Sequence, residues 1–221
     1  MKWLSPWIHT TDLCNMACSY CYVDGHNIMK QPVYDALEKM LLNSDAESYR
    51  LRFAGGEPLM VFDKWVGFAE KMLTYPQTRI EILTNLRMIP TGFISFAQKK
   101  NVNISVSIDA GSKWKRLDSR IMKNMKRIKN PYWVMTTLTE DNINSILNLA
   151  DFIGAEGHGW SISTDYFWNG RPSFKDLTVA MVKVVRILKS HNYNFSQFMF
   201  NNMDFSHSRG SGCCAGNEMF S

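Results

Sequence analysis

The feature of this sequence that most constrains its fold is a regular alternation of strand-like and helix-like segments. Alternating or short apolar runs predict six strands, over residues 7–11, 48–54, 79–84, 103–108, 132–137 and 160–166. Apolar residues at helical spacing predict helices over residues 32–43, 64–74, 91–99, 118–128, 142–153 and 174–190. Strands and helices that alternate in this way form a parallel sheet with right-handed crossovers. Because six units in 221 residues are too few for a closed eight-fold barrel, we predict an α/β fold, an open partial (β/α)6 TIM-like barrel with parallel strands.

Composition and charge argue against several classes of partner. The chain is 45% hydrophobic and 20% charged, as in an ordinary globular domain. Its formal charge of +5 is spread along the chain, and the basic run over residues 113–129 fits the solvated face of a helix, so we expect no nucleic-acid partner. No apolar run approaches the roughly 18 residues of a membrane span, and no signal peptide is recognisable. We therefore expect no membrane association and a cytoplasmic protein.

Three of the five cysteines lie in one short segment, as Cys14, Cys18 and Cys21 with the spacing C-x3-C-x2-C. Thiolate is the soft ligand that suits iron–sulfur clusters and zinc. A structural zinc site normally has four protein ligands, but the next cysteine along the chain is Cys213. Three thiolates after a predicted strand therefore favour an iron–sulfur cluster with one iron open to a small molecule.

Two other interpretations of the three cysteines stay open. His26 would complete a zinc site with them, since histidine and cysteine together are common zinc ligands. Alternatively, the three are unrelated thiols, because free cysteine is among the residue types most often buried.

The cysteine segment, with the aromatic Tyr20 directly before its last cysteine, resembles the radical S-adenosylmethionine (radical SAM) enzymes. In that family a [4Fe-4S] cluster with three cysteine ligands binds the amino and carboxylate groups of SAM at its open iron. The resemblance therefore implies two cofactors, a [4Fe-4S] cluster on Cys14, Cys18 and Cys21 and S-adenosyl-L-methionine beside Tyr20.

The segment Gly55-Gly56-Glu57-Pro58 follows the second predicted strand directly. Paired glycines allow a backbone to approach a ligand closely, and a carboxylate can accept hydrogen bonds from an ammonium group. The segment resembles the GGEP motif of radical SAM enzymes, which implies that Gly55, Gly56 and Glu57 bind the amino group of SAM. In isolation, the same residues would be read as a tight turn with a solvated glutamate.

The third predicted strand ends at Thr84-Asn85, which resembles the TNG segment of the family except that Leu86 replaces the glycine. The resemblance implies that Asn85 reaches the ribose hydroxyls or the carboxylate of SAM. Ligands of parallel αβ barrels gather at the carboxyl ends of the strands, which agrees with this placement.

The fourth predicted strand ends at Ser107-Ile108-Asp109, which resembles the family's SIDG segment with Ala110 in place of the glycine. The resemblance implies that Ser107 contacts SAM and that Asp109 faces the substrate as a catalytic residue. Arg120 stands where many relatives place an arginine that pairs with the SAM carboxylate, for which a planar guanidinium is suited. An exposed helix arginine is the alternative for Arg120.

The end of the chain carries a weaker resemblance. Cys213 and Cys214 lie in a segment similar to the start of the auxiliary cluster domain (SPASM or twitch) of peptide-modifying radical SAM enzymes. We therefore predict a radical SAM core over residues 1–200 and a tail resembling the start of that domain over residues 201–221. The other cysteines of such a domain are absent from this sequence, so the pair either needs ligands from elsewhere or is two incidental thiols.

Together these resemblances imply a radical SAM enzyme similar to peptide-modifying, sulfatase-maturase-like members. Such an enzyme cleaves SAM reductively to a 5′-deoxyadenosyl radical, which abstracts hydrogen from a peptide or protein substrate. An electron donor such as flavodoxin or ferredoxin is the second expected partner. Two alternatives remain at this point, namely a radical SAM enzyme that acts on a small molecule and a non-catalytic metal-binding regulator.

Overall fold

The computed structural model of the protein describes residues 2–18, 20–109, 118–128, 132–164 and 172–201. Its strands are β1 (Trp3–Leu4), β2 (Trp7–His9), β3 (Ser48–Ala54), β4 (Thr78–Thr84), β5 (Val102–Ser107), β6 (Tyr132–Leu138), β7 (Gly159–Thr164) and β8 (Phe198–Asn201). Its helices are α1 (Gln31–Leu42), α2 (Phe62–Met72), α3 (Phe93–Ala97), α4 (Ser119–Met125), α5 (Ile146–Glu156) and α6 (Phe174–Ser190). The six predicted strands and six predicted helices are therefore all present, with shorter bounds at several ends.

All eight strands belong to one parallel sheet in the order β1-β3-β4-β5-β6-β7-β8, and β2 also pairs with β3. From β2 onward, consecutive strands are neighbours, and each pair is joined by one crossover helix. Within the described residues the sheet has two separate edges, one at β1 and β2 and one at β8. The predicted open parallel barrel is thus confirmed, with two short strands added at its edges.

Side-chain alternation gives the sheet two different faces. On β3, Leu51 and Phe53 are fully buried on the convex face, where Phe53 stacks on Trp65 of α2 at 4.5 Å between ring centroids. The intervening Arg50 and Arg52 lie on the opposite, concave face, because successive strand residues point to opposite sides. The helices cover the convex face, where the apolar core lies, and on β3 the concave face carries the two arginines.

Helix caps follow local sequence. The Asp118 side chain accepts a hydrogen bond from the Ile121 N–H and caps the N-terminus of α4. The Ser173 side chain accepts one from the Asp176 N–H and caps the N-terminus of α6. Gly157, with φ +72°, ends α5 in the left-handed conformation that glycine adopts readily.

No helix in the described part of the chain is long and apolar enough to span a membrane.

Candidate functional site

The predicted cluster loop follows β2 and lies over the carboxyl ends of the sheet. The backbone of β3 holds it there, because the Thr10 N–H donates to the Ala54 carbonyl at 2.9 Å and the Gly56 N–H donates to the Thr11 carbonyl at 2.7 Å. Within the loop, Asp12 accepts hydrogen bonds from both the N–H and the side-chain amide of Asn27, at 3.2 and 2.7 Å. The side-chain hydrogen bond from Asn27, and then that to His9, lower the pKa of the Asp12 carboxyl, so it is ionised at neutral pH.

All three predicted ligand cysteines line one cavity of about 620 Å³ at these strand ends. Of the other predicted site residues, the same cavity is lined by Tyr20, Gly55, Gly56, Asn85 and Ser107. Burial raises the pKa of the Cys14 thiol, so metal binding at this residue is coupled to release of a proton. The structure therefore brings together eight of the predicted residues, which lie in four separate parts of the sequence.

His26 does not share this cavity. It lines a separate depression with Asp63 and Lys64. Among the described residues, no group of three or more histidine, cysteine, aspartate or glutamate side chains is arranged to hold a single metal ion.

The two glycines of the GGEP segment are required by the contact between β3 and the cluster loop. A Cβ on Gly55 would lie 2.4 Å from the Thr11 carbonyl oxygen, and one on Gly56 would lie 2.3 Å from that of Leu13. Contacts this short with backbone atoms cannot be relieved by a side-chain rotation. The glycines therefore allow the loop to lie directly on the strand end, and they also form part of the cavity wall.

Glu57 is 1% exposed and is not among the described residues that line this cavity. Its Oε1 accepts hydrogen bonds from the Leu59 N–H at 3.0 Å and the Thr84 hydroxyl at 2.7 Å, and its Oε2 accepts one from the Asn85 N–H at 2.7 Å. The carboxylate thus joins the end of β3 to the end of β4. Its predicted contact with the SAM amino group remains a prediction, and in this structure its visible role is to position Asn85.

Asn85 connects the sheet to the cluster loop. Its side-chain amide donates to Asn15 Oδ1 at 2.8 Å and lies 3.8 Å from the Cys14 sulfur. The next residue, Leu86, has φ +53° and is fully buried, so it keeps the left-handed conformation that a glycine would adopt without strain. Leu86 thus departs from the family's TNG in sequence but occupies a glycine-like backbone conformation.

Asp109 is also buried, at 1% exposure, and it supports Tyr20. Its Oδ1 accepts a hydrogen bond from the Thr137 N–H at 3.0 Å, and its Oδ2 accepts one from the Tyr20 hydroxyl. Asp109 therefore fixes the aromatic residue of the cysteine loop to the ends of β5 and β6. Its predicted catalytic role remains a prediction, while the contacts point to positioning of Tyr20.

Arg120 is exposed in the first turn of α4 and is not among the described residues that line the cavity. The neighbouring ion pair is made by Arg87, whose guanidinium lies 3.0 Å from the Asp118 carboxylate. The assignment of Arg120 to the SAM carboxylate remains a prediction. Ala110, Cys213 and Cys214 lie outside the described residues.

Sequence reasoning missed several residues that line the cavity. Thr137 and Ser163 stand near the carboxyl ends of β6 and β7, and Trp7 and His9 lie on the concave side of β2. The rule that ligands gather at carboxyl strand ends could have found Thr137 and Ser163. No family motif marks Trp7 or His9, and only the sheet register places them there.

We expect Glu57→Gln to destabilise the fold by about 1–3 kcal/mol, because the amide nitrogen would face a backbone or hydroxyl donor in a buried position. Chemical unfolding of the variant and the wild type measures this loss. Glu156→Gln is the matched control, since Glu156 is exposed at the end of α5 and the same exchange there should change stability by less than about 0.5 kcal/mol. Equal stability of the two variants would show that the Glu57 contacts carry little free energy.

The fold and the site together define a class of protein, an open parallel barrel that carries a three-cysteine loop at the carboxyl ends of its strands. The family model of the Radical SAM superfamily matches residues 8–153, more than half of the chain. The chain belongs to the Radical SAM superfamily, and membership implies SAM and an iron–sulfur cluster as cofactors.

The individual relatives share less than a quarter of their aligned residues with this chain. An uncharacterized protein of Methanocaldococcus jannaschii is 24% identical over 169 residues, which are 68% of this chain and 58% of the relative. The fold is similar to that of anSMEcpe with bound AdoMet and the Kp18Cys peptide, with a TM-score of 0.70, 17% identity and coverage of 85% of this chain and 59% of the other. SuiB of Streptococcus suis bound to its precursor peptide SuiA also has a TM-score of 0.70, with 15% identity and coverage of 91% and 49%. The chain thus spans between 49% and 59% of the length of each of these relatives.

Proposed function

We propose that this protein is a radical SAM enzyme that cleaves SAM reductively at a [4Fe-4S] cluster and abstracts hydrogen from a peptide or protein substrate. The observation that carries the proposal is the convergence of Cys14, Cys18 and Cys21 with the strand-end residues on one cavity. Thiolates are the ligands that such clusters take, so the donor set fits the cofactor. When bound, the cluster and SAM would supply electron transfer and the 5′-deoxyadenosyl radical, which are the cofactors' own chemistry.

The chain's own residues would bind, orient and enclose the cofactors. The three cysteines would hold the cluster, and the close contact at Gly55 and Gly56 would leave room for SAM on the cavity wall. Glu57 and Asp109 are each held by hydrogen bonds and would fix Asn85 and Tyr20 around the cavity. Residues with locked conformations are what a site needs to hold a reactive ligand in one geometry.

A peptide substrate is favoured over a small molecule by the relatives of similar fold. Both anSMEcpe and SuiB are known with bound peptides, and SuiB with a precursor peptide. The proposal extends to an electron donor such as flavodoxin or ferredoxin and to a cytoplasmic location. A short precursor peptide encoded beside this chain would support the substrate class.

The test is reconstitution of the whole chain with iron and sulfide under anaerobic conditions. We expect several irons and sulfides per chain, and we expect methionine and 5′-deoxyadenosine to form from SAM once a reductant is added. One zinc per chain without sulfide would instead support the metal-binding regulator. A bound cluster that leaves SAM intact under reduction would contradict the proposed enzyme.

A further inference from the structure

A basic and aromatic surface lies on the concave face at the β1–β2 edge of the sheet. It consists of Trp3 and Trp7 from the edge strands, Arg50 and Arg52 from β3, and Arg79 and Glu81 from β4, and we call it the arginine–tryptophan surface. The register places Trp3 beside Ser48, Trp7 beside Arg52, Arg50 beside Arg79 and Arg52 beside Glu81. Because paired residues of parallel strands point to the same side, all six side chains share the concave face.

The surface carries a positive charge that it does not neutralise itself. The Glu81 Oε2 lies 2.8 Å from Arg50 Nη2 and 3.2 Å from Arg52 Nε, and its Oε1 accepts a hydrogen bond from Ser105 at 3.1 Å. The single Glu81 carboxylate therefore pairs with two guanidinium groups. The exposed Arg79 adds a third positive charge on the same face. Arg50 keeps 48% of its side chain exposed despite its ion pair. An additional negative partner would be attracted here.

The two tryptophans are unusually accessible. Trp3 and Trp7 are 48% and 47% exposed, and the guanidinium of Arg52 lies 5.2 Å from the centre of the Trp7 ring. Tryptophan and arginine are the residue types most enriched among those that dominate binding energy at protein interfaces. A rigid indole held by a cation beside it offers contact area at a small cost in side-chain entropy.

The surface is continuous with the cavity. Trp7 belongs to both, and His9, two residues further along the same side of β2, lines the cavity with Cys21. Arg50 and Arg52 are two positions apart on one strand, a rise of about 6.6 Å, which matches the spacing of alternate side chains in an extended peptide. An extended segment on this surface would thus point its next residues at the site of the proposed chemistry.

We propose that the arginine–tryptophan surface binds an acidic segment of the peptide substrate and so directs the adjoining residues of that peptide into the cavity. This inference rests on the peptide substrate of the proposed function. Carboxylates of the segment would meet Arg50 and Arg79, and its apolar groups would cover Trp3 and Trp7. A peptide is favoured over a nucleic acid because solved structures of similar fold contain bound peptides.

The experiment measures binding of a short fluorescein-labelled acidic peptide of glutamate, serine and leucine to the reconstituted whole chain, by fluorescence anisotropy. The matched probe has glutamine in place of each glutamate. We expect the acidic peptide to bind more tightly than the neutral one, and added salt to weaken its binding because exposed charges are screened. We expect the Arg50→Gln/Arg79→Gln variant, which keeps the Arg52–Glu81 pair, to bind the acidic peptide about tenfold more weakly.

The control is Arg186→Gln/Lys189→Gln, which removes the same charge from exposed positions on α6 and should leave peptide binding unchanged. Trp7→Ala is a second variant that leaves every charge in place, and it should also weaken binding of the acidic peptide. Equal binding of acidic and neutral peptides, or equal losses in the two charge variants, would overturn the proposal. Tighter binding of single-stranded oligothymidylate than of the acidic peptide would assign the surface to nucleic acid instead.

This measurement needs no SAM turnover, so its result is independent of the proposed reaction. Loss of SAM cleavage with intact peptide binding would contradict only the proposed function. Intact SAM cleavage without charge-dependent peptide binding would contradict only this surface assignment.

Discussion

Cys14→Ala is expected to abolish assembly of the iron–sulfur cluster and, with it, reductive cleavage of SAM. Cys14 lines the cavity with the other two cysteines and lies next to the Asn85 amide, so its loss leaves two thiolates for a cluster that requires three. Iron and sulfide content and the visible absorption of the reconstituted variant measure the effect. We expect both to fall to the background of protein that was never reconstituted.

The matched control is the Cys213→Ala/Cys214→Ala variant, because it removes thiols that lie outside the described part of the chain. We expect it to keep the iron content of the wild type. A loss of about four irons in this control would indicate a second cluster bound through the tail. Retention of full iron and sulfide by Cys14→Ala would remove the assigned ligand set.

Gly56→Ala is expected to have the second largest effect, because the contact it disrupts holds the cluster loop on the sheet. Its Cβ would lie 2.3 Å from the Leu13 carbonyl oxygen and 2.5 Å from that of Asp12. Relief of these contacts requires the backbone to move, which would break the hydrogen bond of 2.7 Å from the Glu57 N–H to the Leu13 carbonyl. We expect a loss of about 1–3 kcal/mol in the free energy of unfolding, together with weaker SAM binding.

Gly67→Ala is the control for this substitution. Gly67 is exposed within α2, and a Cβ there would meet nothing within 4 Å. Because alanine is the better helix former, we expect Gly67→Ala to raise stability by roughly 0.5–1 kcal/mol and to leave SAM binding unchanged. Chemical unfolding and equilibrium dialysis with labelled SAM measure both variants. Equal stability of Gly56→Ala and the wild type would mean that the loop does not pack on β3 as described.

Much of the fold was predictable because each crossover unit carries its own periodicity. The helix over Phe174–Ser190 was predicted with both ends correct, since Ser173 is an N-cap residue and a long apolar stripe follows it. The short strands at the two edges, Trp3–Leu4 and Phe198–Asn201, were missed. Two to four residues are too few to show an alternating pattern, and pairing with a neighbour alone defines such strands.

The sequence named residues of the candidate site, and the structure adds the hydrogen bonds that hold two of their side chains in place. The motifs named Glu57 and Asp109 as contacts to SAM and substrate, and these roles remain predictions. The structure shows in addition that both carboxylates are buried and accept hydrogen bonds from backbone amides. A sequence motif records which residue types occur together. It does not record which way a side chain turns, because that depends on donors such as the Thr137 N–H, which come from a different strand.

The sequence alone determined the alternation of strands and helices, the three-cysteine loop and the glycines beside it. These depend on local periodicity and on spacing within short segments, and both can be read along the chain. Only the tertiary structure decided that Trp7 lies beside Arg52 on the concave face and that Thr137 and Ser163 line the cavity with the three cysteines. The physical reason is register: the pairing of distant strands and the packing of helices select the neighbours of each side chain, and no local pattern encodes that choice.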